Sequence, residues 1–216
     1  MVTARRKERE KEDRRNRIID AAEALFIVKG FDDVSMDDVG RDAELAKGTL
    51  YLYFKNKESL FYAVALRGAH ILNEMLKKAF KKGKNGAEKL YSMGASYYDF
   101  YRQYPDYYRI FACTQLPTFK FSEESAGEIN KLGKENFDLM CDCIRKGQAD
   151  GSIKSDIDPA KTAWYLIFSS EGIISQSVCK TLALESEGIS QDDFFKYSLG
   201  LMGDAISTTG NWRERA

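Results

Sequence analysis

The chain has 216 residues, 44% of them hydrophobic, and its 33 basic and 33 acidic side chains leave a formal net charge of zero. That length accommodates a small domain beside a larger one with its own core, and the charge balance argues against a protein that holds polyanions by bulk charge. Four cysteines without a CxxC pair and a single histidine, His70, argue against a zinc site, so no metal and no cofactor are expected.

The opening segment, MVTARRKEREKEDRRNR, carries eight Lys or Arg against four Asp or Glu over residues 1–17. It has no long apolar core, so it reads as neither signal peptide nor membrane anchor, and the chain is expected in the cytoplasm. Its alternating charges suit a solvated extension of the first helix. The alternative is an arm that reaches into a DNA minor groove.

A helix is predicted to start at about Met36, because Ser35 followed three residues later by Asp38 is a capping-box signature. Met36, Val39 and Ala43 give it one apolar face, and Gly40 marks a position where a second helix crosses closely. After a short turn through Glu44 and Leu45, helical spacing resumes from Ala46 to Phe54, with Leu45, Leu50 and Phe54 directed inward. Lys47, Gly48, Tyr51 and Leu52 then face outward. A cation, a glycine, a phenol and a leucine make a poor solvent face but a good groove-contacting one. The lysine donates to phosphate or guanine, the glycine admits close backbone approach, and the two larger side chains can touch thymine methyls. Lys47, Lys55 and Lys57 cluster here, so affinity for DNA is expected to come from a local patch and to fall with salt.

The stretch RIIDAAEALFIVKGFDDVSMDDVGRDAELAKGTLYLYFKNKESLFYAV, and above all KGTLYLYFKNKESL, resembles the N-terminal domain of the TetR family of transcriptional regulators. The resemblance implies a recognition helix with the core Thr49, Leu50, Tyr51 and Phe54. It also implies that Thr49, Tyr53 and Lys57 hold the DNA backbone while Lys47, Gly48, Tyr51 and Leu52 face base edges. One departure stands in the turn: the family usually has Ala-Gly-Val, and this chain has Ala43-Glu44-Leu45. A non-glycine residue at positive φ there costs roughly 1 kcal/mol or more.

Beyond this head, one long helix is predicted over residues 57–82, ending in the basic cluster Lys77, Lys78, Lys81 and Lys82, which reads as a solvated helix end. Further helices are expected at about 86–103, 105–115, 122–148, 159–184 and 190–209, separated by Pro105, Pro117, Gly151 and the Glu187-Gly188 turn. The longest apolar stretch, Thr162 to Cys179, is interrupted by Ser169, Ser170, Glu171 and Gln176, so no membrane span is expected. Cys113, Cys141, Cys143 and Cys179 read as reduced thiols, with a redox switch at Cys113 or Cys179 as the alternative. The stretch from Ala149 to Gly172, ADGSIKSDIDPAKTAWYLIFSSEG, also resembles the C-terminal domain of the family, more weakly.

The aromatic run YYDFYRQYPDYYRIF, from Tyr97 to Phe111, reads as core residue by residue. Taken together, a tyrosine-rich wall can stack a flat, cationic or amphipathic ligand and still offer hydrogen bonds. Candidate effector contacts are Tyr97, Tyr101, Phe111, Trp164, Phe168 and Glu171, with Glu171 at a dimer interface as the competing role. Trp164, Ile167, Phe168, Ile174, Val178, Phe194, Phe195, Leu199, Met202 and Ile206 present more apolar surface than one small domain needs, which resembles the family's four-helix dimer interface.

The expected architecture is therefore all-α. Residues 1–56 form the arm and a three-helix helix-turn-helix DNA-binding domain, and residues 57–216 a helical effector-binding and dimerisation domain. The expected function is a homodimeric, ligand-responsive repressor that binds double-stranded DNA at a palindromic operator and is released by a small effector. The alternative is a dimeric DNA-binding or interaction module without an effector. No phosphate loop, dinucleotide fingerprint or nucleophile elbow points to an enzyme.

Overall fold

The computed structural model describes residues 2–114, 123–179, 181–210 and 212, and its side-chain description leaves out 2–4, 112, 114, 123–126 and 177–179. Among the described residues the chain is helical throughout: α1 (Val2–Lys29), α2 (Met36–Asp42), α3 (Lys47–Tyr51), α4 (Lys57–Lys82), α5 (Gly86–Gln103), α6 (Pro105–Thr114), α7 (Glu123–Asp150), α8 (Pro159–Cys179), α9 (Thr181–Ser186) and α10 (Gln191–Ile206). The predicted bounds of α4 and α5 are met to the residue. One difference is local: the recognition helix is shorter than 46–54 because Leu52 and Tyr53 already form a turn. Residue 180, between α8 and α9 in the stretch expected as one helix over 159–184, lies outside the described residues. Pro117 lies outside the described residues, as do the side chains of Val178 and Cys179.

The chain divides into two compact units: Met1–His70 with Tyr104–Lys131, and Ile71–Gln103 with Leu132–Ala216. This packing differs from the expected division at residue 56. The first half of α4 and all of α6 pack with the head, for a reason visible in the side chains. Arg67 of α4 reaches Asp20 at 2.8 Å and Glu23 at 2.7 Å on α1, and the Tyr107 hydroxyl of α6 donates to Glu23 at 2.7 Å. Desolvation, and then the Glu23 carboxylate, hold the proton on Tyr107 well above the ordinary tyrosine range. Gly68 admits this arrangement, since a Cβ there would come within 2.9 Å of the Tyr107 ring.

The core of the first unit is built from Ile18, Ile19, Ala22 and Phe26 of α1, Met36 and Val39 of α2, Leu50 of α3, Phe54, and Leu60, Phe61 and Val64 of α4, all buried. Complete burial of a side chain such as Leu50 or Leu60 stabilises by about 1.5–3 kcal/mol. Phe61 sits edge-on to Phe26 and Phe31, with ring centroids 5.1 and 5.0 Å apart.

In the second unit α10 packs against both α5 and α8. Tyr98 of α5 stacks on Phe195 of α10 at 3.9 Å and donates its hydroxyl to Asp192 at 2.7 Å. At the other end, α5 meets α7 backbone to backbone: a Cβ on Gly86 would lie 2.0 Å from the Gly147 nitrogen, so only glycine allows this crossing. An antiparallel bridge, Ile153 with Ser207, ties the α7–α8 loop to the end of α10. No described helix is long and apolar enough to cross a membrane.

Candidate nucleic-acid interface

The site begins with the caps of α2. Both halves of the predicted capping box are formed: the Asp38 backbone N–H donates to Ser35 Oγ at 3.1 Å, and the Ser35 N–H donates to the Asp38 carboxylate at 3.1 Å. The Ser35 hydroxyl bond, and then the backbone bond, hold the Asp38 carboxyl below the usual carboxylate range. At the other end α2 closes with a Schellman pair, Glu44 N–H to Arg41 O at 3.2 Å and Leu45 N–H to Gly40 O at 2.8 Å. Glu44 occupies the left-handed position of that motif at φ +54, the only non-glycine residue at positive φ among the described residues. The turn expected from the motif is thus kept although glycine is missing. Arg17 of α1 supports it by donating to Ala43 O at 3.2 Å.

Gly40 is needed for a reason slightly different from the expected one. A Cβ there would sit 3.2 Å from the Leu45 carbonyl oxygen, so the turn's own backbone, not the crossing helix, limits the space.

The turn sets α3 so that Leu50, fully buried, and Phe54 point into the core. The four residues expected outward are all exposed: Lys47, Gly48, Tyr51 and Leu52, the last at 83%. Leu52 and the half-exposed Tyr51 thus place apolar and aromatic surface side by side on the outer face of α3. Thr49 and Tyr53 flank this face at intermediate exposure.

Two of the lysines have partners that sequence reasoning missed. The Lys47 ammonium lies 2.7 and 2.9 Å from the two Asp37 carboxylate oxygens, and this hydrogen bond raises its pKa. Lys57 donates to the carbonyls of Phe31 at 2.7 Å and Asp32 at 3.2 Å, with its ammonium 4.2 Å above the Phe31 ring. It therefore fastens the loop after α1 to the start of α4. Asp37 is ten residues from Lys47 and Phe31 is 26 from Lys57, separations at which no helical spacing could have signalled a contact.

The aromatic residues expected at an effector site are distributed over both units. Phe111 belongs to the first; Tyr97, Tyr101, Trp164, Phe168 and Glu171 belong to the second. Tyr101 donates to Gln191 Oε1 at 3.3 Å at the start of α10. Trp164 stacks on Phe168 at 5.2 Å and lies 4.9 Å from Phe137 of α7, yet Trp164 and Phe168 are 48% and 63% exposed. Phe168 also borders an open groove of about 540 Å³ between α8 and α10, together with Tyr165, Ile173, Phe194, Leu201 and Met202. Desolvation raises the pKa of Glu171 on the same helix.

The expected surplus apolar surface is corrected in its membership. Ile174, Phe195, Leu199, Met202 and Ile206 are core residues of the single chain, because α10 inserts between neighbours. What remains outside is Trp164, Tyr165 and Phe168 of α8 with Tyr197 and Leu201 of α10. Cys113 is half-buried and Cys141 and Cys143 are buried, all three free thiols, with burial pushing the Cys143 thiol up to about 12.

Comparison with known proteins agrees with this geometry. Residues 18–64 match the family model described as bacterial regulatory proteins, tetR family. The chain is 26% identical over 161 residues to the fatty acid metabolism regulator protein of Bacillus subtilis, covering 74% of this chain and 79% of the relative. Among solved structures, the transcriptional regulator FadR from Bacillus subtilis in complex with stearoyl-CoA superposes with a TM-score of 0.67 at 20% identity, covering 86% of this chain and 96% of that one. A TetR/AcrR-family transcriptional regulator from Thermobifida fusca gives 0.69 at 22% identity, over 88% and 97%. With a capped helix-turn-helix that presents Lys47, Gly48, Tyr51 and Leu52 to solvent, residues 18–64 form a DNA-binding domain of the bacterial regulatory proteins, tetR family, and the helical remainder shares its fold with these solved regulators.

Proposed function

We propose that the protein is a cytoplasmic, homodimeric repressor that reads a palindromic operator and leaves it when a small amphipathic effector binds the second unit. The carrying observation is the outward face of α3, where Leu52 and Tyr51 are exposed beside Lys47 and Gly48 while Leu50 and Phe54 anchor the helix from below. In this reading Lys47, Gly48, Tyr51 and Leu52 meet base edges. Thr49, Tyr53 and the Lys57 ammonium meet phosphates. Lys47 exchanges Asp37 for DNA on binding.

One short recognition helix reads too few bases to be selective, and a two-fold pair doubles the site. The exposed apolar residues of α8 and α10 support that dimer, so Trp164, Phe168 and Glu171 are assigned to the subunit interface and Tyr97 and Tyr101 to the effector. An amphipathic effector is favoured by the stearoyl-CoA complex of the Bacillus subtilis relative and by tyrosines that combine ring surface with hydroxyls. The continuous α4 is the element through which effector binding would change the spacing of the two recognition helices.

Calorimetric titration of stearoyl-CoA with and without operator DNA tests this reading. The operator should weaken effector binding by the same factor as effector weakens operator binding, a coupling of about 1–3 kcal/mol. Equal affinity in both states for stearoyl-CoA and for shorter acyl thioesters would leave a DNA-binding dimer that does not respond to this effector class. Protection of one short palindrome in operator footprinting tests the DNA-binding half separately.

A further inference from the structure

The matched family region begins at residue 18, yet α1 begins at Val2, so four helical turns precede the recognised head. Residues 5–14 of this extension are all exposed, and a single ion pair, Arg6 with Glu10, is formed among them. An α-helix is 10–12 Å across and the minor groove of B-DNA about 6 Å wide, so the segment as folded cannot enter a minor groove as an arm.

Its charges are nonetheless sorted by face. At about 100° per residue, Lys7, Lys11, Arg14 and Arg15 fall within one arc of about 100°. Farther along α1 the same arc holds Ile18 and Ala22, which are fully buried against the head. The four acids of the segment, Glu8, Glu10, Glu12 and Asp13, all fall outside it, while Arg5, Arg6 and Arg9 lie on the opposite side. The cationic arc is aimed toward the DNA-reading elements: the Arg15 guanidinium sits 5.4 Å from the centroid of the Phe54 ring, three residues beyond the end of α3.

The geometry points to a second DNA contact: Lys7, Lys11 and Arg14 follow the phosphate backbone of duplex DNA next to the bases read by α3, extending the footprint outward without adding sequence selectivity. Two observations commit the surface to this partner, its single-sign charge and its continuity with the face of α1 that carries the helix-turn-helix. The inference rests on the DNA-binding reading given above.

The test is fluorescence anisotropy of the full chain with a mixed-sequence duplex of about 40 base pairs, at salt between roughly 50 and 200 mM. Three forms are compared: the native chain, Lys7→Ala with Lys11→Ala and Arg14→Ala, and Arg5→Ala with Arg6→Ala and Arg9→Ala. Both triple variants remove the same charge, and alanine preserves the helix, which circular dichroism verifies. The first triple should flatten the slope of log affinity against log salt by about 2–3 units per protomer, so that the native chain loses roughly 40-fold more affinity over that salt range. The second should change the slope by less than one unit. Equal effects from the two triples would reduce the extension to bulk charge and overturn the assignment, as would an unchanged slope in the first. A native chain that binds no duplex at all would instead refute DNA binding by the head.

Discussion

Replacing Glu44 by glycine should stabilise the protein, although it deletes a side chain. Glu44 holds φ +54 at the left-handed position of the turn between α2 and α3, closed by its own N–H bond to Arg41 O and by Leu45 N–H to Gly40 O. A residue with a Cβ pays about 1–2 kcal/mol for that conformation. Glycine removes this strain but gives back about 0.4–1 kcal/mol through the greater freedom of the unfolded chain. The net gain for Glu44→Gly is about 0.5–1 kcal/mol, or a rise of about 1–4 °C in the melting temperature of a chain this long. Glu44→Ala keeps the Cβ and the strain, so it separates backbone relief from loss of the carboxylate. Thermal melts at fixed protein concentration, followed by circular dichroism, are sufficient. If Glu44→Gly were no more stable than Glu44→Ala, the turn would not be strained and the cost assigned to its missing glycine would be wrong.

Three further outcomes are expected. Lys57→Ala should lower stability by about 1–2 kcal/mol, since two hydrogen bonds from its ammonium are lost, one of them part-buried; well below the melting temperature it should weaken all DNA sequences alike and reduce the salt slope by about one, whereas Tyr51→Ala should change which bases are preferred in a binding-site selection. Phe168→Ser together with Trp164→Ser should convert a sedimenting dimer into a 24.6 kDa species, because both rings are exposed in the single chain; a native chain already at that mass at micromolar concentration would refute the dimer. Desolvation raises the folded pKa of Glu171 above its ordinary 4.5, so this group stabilises below the unfolded value and loses that contribution as pH rises through the folded one. Because Glu171 is exposed on α8, solvent screening keeps this effect small: Glu171→Gln should be only slightly more stable than the native chain at pH 7 and lose that advantage near pH 4, read from urea midpoints at the two pH values.

What the sequence determined by itself is what depends on neighbours within one or two helical turns. Ser35 and Asp38 cap α2 because the two groups are three residues apart, and α4 runs from Lys57 to Lys82 because nothing in that stretch breaks a helix before Gly83. The inward placement of Leu50 and Phe54 and the outward placement of Lys47, Gly48, Tyr51 and Leu52 follow from the 3.6-residue repeat and the motif together. Tertiary structure alone decided which of several equivalent partners each group met. Tyr107 looked like one member of an aromatic run, but Glu23 and Arg67, 84 and 40 positions away, fix it to α1 and make α6 part of the first unit. Leu199 and Ile206 looked like interface residues, but α10 is covered on two sides by α5 and α8, so they fill the core and leave Tyr197 and Leu201 outside. The periodicity of a helix specifies that one face is apolar. It does not specify how many neighbours that face has, because that number is set by the packing of segments far apart in the chain.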